Sequence, residues 1–458
     1  MPGLRAKTRR IKFWWHLTLA YIKRYQLRIA SFILFIFAIA YLSFKLAPNV
    51  LKNNLISIGY VGTYTLETVP ADSLSLATQP LISKDKSGRS IPALASHWTI
   101  AEDGKTYIVF LKDNLKWHDG TIVEAKDISL AISNVDITAL NNKTIQFKLP
   151  NPISSFPQAL DTPVFKSKSF YGTGDFRIVN IVKVDNVIKK IVLHPKDEEL
   201  ARVEIKFYPT EDLATQALKI GEIKVLSAAN VKVFENWTNL NVKKELATDE
   251  IVTIFYNNRD ETLANKDLRQ ALSFAINRES FDGQLALGPL PPTSWAYNPA
   301  IKKYDYNIGK AKELFTKSET KNKKITLSYT QDLENVAKEV KDGWQNLGME
   351  VELKQEKGVP KTFQALLAVN KIPPDPDQYA LWHSTQKDTN ITKYANVKID
   401  KLLEDARVAQ KEDERKKLYD DFQRFLVEDA PATFLYTPYK YKVNYKNIEK
   451  HLANLPQS

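Results

Sequence analysis

Residues 96–128 read Ser96-His97-Trp98-Thr99-Ile100-Ala101-Glu102-Asp103-Gly104-Lys105-Thr106-Tyr107-Ile108-Val109-Phe110-Leu111-Lys112-Asp113-Asn114-Leu115-Lys116-Trp117-His118-Asp119-Gly120-Thr121-Ile122-Val123-Glu124-Ala125-Lys126-Asp127-Ile128. Asp103-Gly104 divides Trp98-Thr99-Ile100 from the β-rich run Tyr107–Leu111. Asp-Gly supplies the positive φ that a tight turn demands, so the pattern predicts a β-hairpin. Asp119-Gly120 repeats the device, and Ala125-Lys126-Asp127-Ile128 predicts the start of a helix. His118 reads as a turn residue with local hydrogen bonds.

Working toward the N-terminus, charge becomes the informative quantity. The 458-residue chain carries a net charge of +12. Ten of its Lys and Arg precede Leu66, and the first acidic residue is Glu67, so the remainder is nearly neutral. Ile29–Phe44 is uncharged and mostly apolar, and with Lys45 snorkelling it can approach the ~30 Å hydrocarbon thickness of a bilayer. The basic residues ahead of it place the N-terminus in the cytoplasm and the body outside. Residues 1–28 are therefore expected to be a cytoplasmic juxtamembrane segment, 29–47 a transmembrane anchor and 48–54 a linker. A cleaved signal peptide is the competing reading, but Ala38-Ile39-Ala40 lies inside the apolar run. Phe13-Trp14-Trp15, Tyr21 and Tyr25 fit either an interfacial helix or a basic tail. The chain has no cysteine, which excludes lipidation at a Cys, disulfides and thiolate metal sites.

Toward the C-terminus the chain alternates strands and helices. Leu55–Tyr60 reads as a first strand, Asn141–Leu149 as a turn and strand, and Ile251–Asn258 as a buried strand. Glu211–Ile220 has helical spacing and stops at Gly221; Asn265 caps a helix with Leu268, Ala271, Leu272, Ala275 and Ile276 on one face. Ile325–Tyr329, a helix from Asp332 to Leu347 and Val351–Leu353 form a strand–helix–strand unit, which predicts a mainly parallel sheet. The glycines of Tyr171-Gly172-Thr173-Gly174 have no Gly-Lys-Ser after them and open no helix, so they read as a turn between strands.

Several segments, in order, resemble the family 5 extracytoplasmic solute-binding proteins, the peptide and nickel binders of ABC transporters. They are Ala93–Trp98, Trp117-His118-Asp119-Gly120-Thr121, Ala125-Lys126-Asp127, Gly172-Thr173-Gly174, Asp267–Glu279, Tyr304–Phe315 and the closing run Asp375 to Pro431. The resemblance covers roughly Leu55 to Ile448. It implies an α/β, two-lobed periplasmic-binding-protein-like fold of type II, cluster C-like, with lobe I at 55–250, lobe II at 251–430 and a return to lobe I at 431–458. It also implies that Ile251–Asn258 crosses between the lobes. Few residues separate Ala-Lys-Asp from the strand at Asn141, so the accessory subdomain is expected to be reduced.

The family binds and delivers; it does not catalyse. In keeping with this, the chain has no Gly-x-Ser-x-Gly, His-Glu-x-x-His or Walker lysine loop, and its six histidines are not paired at helical spacing. No metal and no cofactor is expected; Asp375-x-Asp377 reads as a turn device in preference to a metal pair. Expected partners are a peptide or other small solute, ABC permease subunits and the membrane through the N-terminal helix, with no nucleic acid and a monomeric state. A surface nucleic-acid binder is disfavoured because the basic arm precedes the span.

Candidate ligand contacts in the implied cleft are Tyr64, Trp295, Tyr297, Asp377, Tyr379, Trp382 and His383, since cleft walls combine aromatic surface with a few polar groups. Peptide binders of the family hold the ligand's α-amino group with an aspartate shortly before the Asp-Pro turn. At the matching place this chain has Val369-Asn370-Lys371-Ile372-Pro373-Pro374, with no carboxylate. An oligopeptide remains the first expectation, and a metal chelate or a sugar the alternative.

Overall fold

The computed structural model describes residues 55–228, 232–234 and 236–456, together with scattered positions between 14 and 41. The chain divides into Met1–Leu55 and Ile56–Ser458. In the first unit the described positions between 14 and 41 are helical, and Trp14, Trp15, Leu34, Phe35, Ile36 and Tyr41 are exposed. Among the described residues no helix is long and apolar enough to cross a membrane. Most of the expected span at 29–47, most of the juxtamembrane segment 1–28 and all of the linker 48–54 lie outside the described residues.

The strands described in the second unit are β1 (Leu55–Val61), β2 (Ile82–Lys84), β3 (Ser90–Pro92), β4 (Ala95–Ile100), β5 (Thr106–Leu111), β6 (Asp136–Asn141), β7 (Thr144–Lys148), β8 (Phe176–Val184) and β9 (Val187–Pro195). They continue with β10 (Arg202–Tyr208), β11 (Val225–Ala228), β12 (Leu240–Leu246), β13 (Glu250–Tyr256), β14 (Gly283–Leu285), β15 (Lys324–Thr330), β16 (Glu350–Glu356), β17 (Ala365–Lys371) and β18 (Ala432–Tyr445). Most of them join one twelve-stranded order, β16-β15-β17-β13-β18-β11-β1-β10-β9-β8, with β12 and β14 also on β18.

β18 organises this order because its two ends have different neighbours. Ala432–Tyr436 pairs antiparallel with β13, whereas Tyr441–Asn444 pairs with β11 and Tyr439–Tyr445 with β12. The passage between the two half-sheets falls near Pro438, and a second passage runs from β12 through Ala247–Asp249 into β13. β13 is thus built wholly into the second half-sheet, and β18 is the strand that spans both.

The second half-sheet is mixed, where the sequence predicted mainly parallel strands. β15 runs parallel to β16 and β17, as the strand–helix–strand pattern requires, but β13 is antiparallel to both β17 and β18. β13 enters from β12 of the other half-sheet through Ala247–Asp249, and β18 follows directly on the helix Glu412–Asp429, so neither belongs to the strand–helix–strand crossover that makes β15 and β16 parallel. Helices cover both faces. Lys266–Phe274, Ile308–Lys317 and Glu334–Leu347 pack with Ile254, Tyr256 and Leu367 on one side; Val397–Val408 and Glu412–Asp429 pack with Phe255, Leu366 and Phe434 on the other. Asn265 accepts from the Leu268 N–H at 3.1 Å, the cap the sequence predicted. In the same helix Arg269 is buried and donates to the carbonyls of Leu263, Ala264, Asp429 and Ala430. It thereby satisfies the C-terminal carbonyls of Glu412–Asp429, where Ala430 turns into the left-handed region at φ 47°.

In the first half-sheet β1 and β8–β11 enclose a core of Ile56, Ile191, Val203, Ile205 and Val225. A separate small β-subdomain, the four-stranded antiparallel sheet β4-β5-β7-β6, has its own core around Tyr107, Val109, Trp117, Ile145 and Phe147. Its β4–β5 hairpin turns at Gly104 (φ 65°), where Asp103 accepts the Lys105 and Thr106 N–H groups. Ala125–Asp127 is a single 3₁₀ turn, which corrects the helix expected there. Ile128 is tied into a bridge with Lys166, and β6 begins at Asp136, leaving too little chain to repay helix nucleation.

Candidate functional site

Most of the sequence-predicted site residues gather beyond the end of β17, around Asp375-Pro376-Asp377. The turn is built by its own carboxylates: Asp375 accepts the Asp377 N–H at 3.0 Å, and Asp377 accepts the Tyr379 N–H at 3.0 Å. Each also holds an arginine. Arg415 donates twice to Asp375, at 2.7 and 3.1 Å, and Arg407 Nε donates to Asp377 at 2.8 Å. Burial pulls the Arg415 guanidinium down, but the Asp375 carboxylate and the Tyr419 hydroxyl together outweigh burial and hold it above its ordinary value. The pair is almost fully enclosed, so neither charge can lose the other cheaply.

The aromatics line this charge network. Trp295 meets Tyr419 edge-on at 6.1 Å, with the Arg415 guanidinium 5.3 Å from its ring. Tyr379 stacks on His383 at 4.1 Å, and Arg407 lies 4.2 Å from the Tyr379 centroid. His383 is 3% exposed; its Nδ1 accepts the Thr385 N–H at 3.2 Å, which leaves Nε2 to donate to Glu404 at 3.2 Å. Trp382 is 0% exposed and donates through Nε1 to Gln378 at 3.2 Å, packed between Phe255 and Phe434. It faces the core, not the cleft wall expected for it, because one turn of helix at Tyr379–Trp382 points it inward.

Two predicted residues stand apart from this group. Tyr64 follows β1 in the first half-sheet, where it packs edge-on to Phe207 and donates to the Val61 carbonyl at 2.7 Å. Tyr297 lies half-buried just after Trp295, its N–H on the Ser294 carbonyl, and burial pushes its hydroxyl up. His118 is bonded at long range, where the sequence suggested local bonds: its Nε2 reaches the Gly174 carbonyl at 2.9 Å.

Sequence reasoning missed the arginines and the serines that meet them. Ser155, from the small β-subdomain, donates to Asp377 at 3.3 Å, and Ser154 donates through N–H and hydroxyl to the carbonyls of Arg407 and Ala406. Those carbonyls belong to the last turn of Val397–Val408, so a segment more than two hundred residues away supplies that helix's C-terminal partners. The Ser87 carbonyl accepts the Trp295 N–H at 3.0 Å, and Arg89 pairs with Glu412 at 2.9 Å. The signals were Arg407 in a helix's last turn and Arg415 with Tyr419 one turn on; neither names its partner. Chemically the cluster is a saturated ion-pair and aromatic network with no activated nucleophile. Among the described residues no group of His, Asp or Glu is arranged to hold a metal.

This architecture, a sheet shared through one long strand with a β-subdomain docked on the second half, has a clear family. Residues 89–391 match the model of the bacterial extracellular solute-binding proteins, family 5, and the chain belongs to that family of ABC-transporter substrate-binding proteins. Its curated relatives include the oligopeptide-binding protein AppA of Bacillus subtilis, 27% identical over 83% of this chain and 74% of AppA. Among solved structures, the substrate-binding protein CtaP of Listeria monocytogenes superposes with a TM-score of 0.71 at 22% identity, covering 85% of this chain and 94% of that one. NikZ of Campylobacter jejuni, solved in complex with Ni(L-His), gives 0.69 at 22% identity, over 86% and 94%. These relatives are binding proteins, not enzymes.

Proposed function

We propose that the chain captures an oligopeptide between two lobes on the outer side of the membrane and presents it to an ABC permease. One lobe is the first half-sheet with its C-terminal return, the other the second half-sheet with its two helical layers. The observation that carries this reading is β18, whose halves pair with different neighbours on either side of Pro438. Together with Ala247–Asp249 it makes a two-strand connection of the kind about which two bodies close on a solute. Trp295, Tyr297, Asp377, Tyr379 and His383, with Tyr64 from the first half-sheet, form the walls. Residues 29–47 anchor the protein, whose body acts as a monomer.

The absence of a carboxylate in Val369–Pro374 favours a second reading, a solute without a free ammonium group, such as a metal chelate or a sugar. Native mass spectrometry of the purified protein distinguishes the two. Co-purified peptide, and a melting temperature raised by peptide addition, support the first; shifts with chelates or sugars but with no peptide overturn it. The anchor is tested by fractionation: the full chain sediments with membranes and a chain starting at Lys52 does not.

A further inference from the structure

Where the second half-sheet ends and the crossing begins, one row of side chains runs across four strands. Asn370 of β17 is paired with Ile251 of β13, and Gln284 of β14 with Thr437 of β18. Val252 pairs with Tyr436, so one step further along that register Thr437 falls opposite Ile251. Paired residues share a face of the sheet, with neighbouring strands about 4.8 Å apart. Val252 and Tyr436 lie in the core of one face and Ile251 in that of the other, so Asn370, Ile251, Thr437 and Gln284 project together.

The row is polar where a sheet interior should be apolar. Thr437 is 1% exposed, yet its hydroxyl has no hydrogen-bond partner in the protein, and neither has the buried Nδ2 of Asn370. Two such groups in one row are costly, because each gives up water and gets nothing in return. Gln284 is exposed, so the row opens to solvent at one end. The carboxylates beside it, Asp249 and Glu250, are both engaged by Lys440, at 3.8 and 2.7 Å.

We infer that Asn370 and Thr437, with Ile251 as an apolar floor, form a ligand subsite that donates hydrogen bonds to an oxygen acceptor of the solute, a peptide carbonyl or carboxylate. The inference rests on the solute-binding reading above and narrows the chemistry of the ligand. The side-chain N–H and O–H face an acceptor, and no free carboxylate stands in the row to hold an ammonium group.

The test uses the full chain with Thr437→Val and Asn370→Leu, each close in volume to the residue it replaces, and a random pentapeptide library with free C-termini as probe. Removing an unpartnered buried polar group relieves its desolvation, so each variant without ligand is expected to melt about 1–2 °C higher than wild type. Each is expected to retain library peptides roughly tenfold more weakly. A melting temperature lowered in both variants shows groups that serve the fold and overturns the subsite, as does wild-type affinity in both. If wild type itself retains no library peptide, the peptide reading fails, while the sign of the melting shift still decides whether these groups serve the fold or a ligand.

Discussion

His118 holds Gly172 from two sides: its backbone N–H donates to the Gly172 carbonyl at 3.0 Å, and its Nδ1 accepts the Gly172 N–H at 3.2 Å. With Nδ1 accepting, Nε2 carries the proton that reaches Gly174. The Trp-His-Asp-Gly turn is in this way fastened to the Gly-Thr-Gly segment over fifty residues later. The arrangement needs a neutral ring, since a proton on Nδ1 would oppose the Gly172 N–H. Burial pushes the same way and lowers the His118 pKa from its ordinary value.

That sets a pH dependence with a definite sign. The folded pKa lies below the unfolded one, so the unfolded chain binds the proton more readily. The contribution is complete above the unfolded value of about 6.5 and declines as pH falls below it toward the folded value. Replacing His118 with Ala is expected to cost about 1–3 kcal/mol at pH 7.5, from the loss of two side-chain hydrogen bonds in a half-buried setting. The cost should shrink at pH 5. Urea unfolding of both proteins at the two pH values measures it, and a penalty independent of pH would rule the neutral-ring account out.

The glycines on the other side of this contact are there for space. A Cβ on Gly172 would come within 2.2 Å of the Ala77 carbonyl oxygen, and one on Gly174 within 2.3 Å of that of Leu76. Backbone cannot swing aside, so Gly174→Ala should destabilise by about 1–3 kcal/mol. Gly120, by contrast, has open space around it but sits at φ 84°, where Ala costs about 1–2 kcal/mol through conformation alone. Gly120→Asn, tolerant of that φ, should recover most of its loss, whereas Gly174→Asn should be worse than Gly174→Ala. Thermal melts of the four variants separate the two causes.

Features governed by short range were legible in the sequence. The Asp103-Gly104 hairpin, the Asn265 cap, the stop at Gly348 and the parallel pairing of β15 with β16 all follow from residues within one or two turns of each other. What could not be read is set by distance along the chain. Nothing local in Ala432–Tyr445 says that its first half will pair with β13 and its second with β11 and β12. Likewise Asp375 and Asp377 were visible as a turn, but the arginines that neutralise them lie on helices thirty and forty residues later. Trp382 was a candidate because aromatic side chains wall such clefts; only the helical turn at Tyr379 reveals that it points into the core.

Arg407 ties the β-subdomain to the second half-sheet through Asp377, which also receives Ser155, and through the face of Tyr379. Arg407→Ala removes an ion pair and a stacked cation together, and a loss of about 1–3 kcal/mol is expected. Arg407→Lys should rescue little, because an ammonium cannot donate sideways to Asp377 while lying flat on a ring. Chemical denaturation of the two variants tests this, and full rescue by lysine would reduce the role of Arg407 to charge alone.

The enclosed pair of Arg415 and Asp375 makes the sharpest demand. Both side chains are about one-tenth exposed, and Arg415 also reaches the Tyr419 hydroxyl at 3.2 Å. Asp375→Ala leaves a buried guanidinium with no countercharge, and Arg415→Met leaves a buried carboxylate; each is expected to cost about 3–5 kcal/mol. The double replacement removes both charges and should cost clearly less than the sum, because the penalty lies in the orphaned partner and not in the missing attraction. A double-mutant cycle by urea unfolding measures the coupling directly. Additive losses would mean that the two side chains act on the fold independently, through packing against Trp295 and Tyr419, and that their charges do not depend on each other.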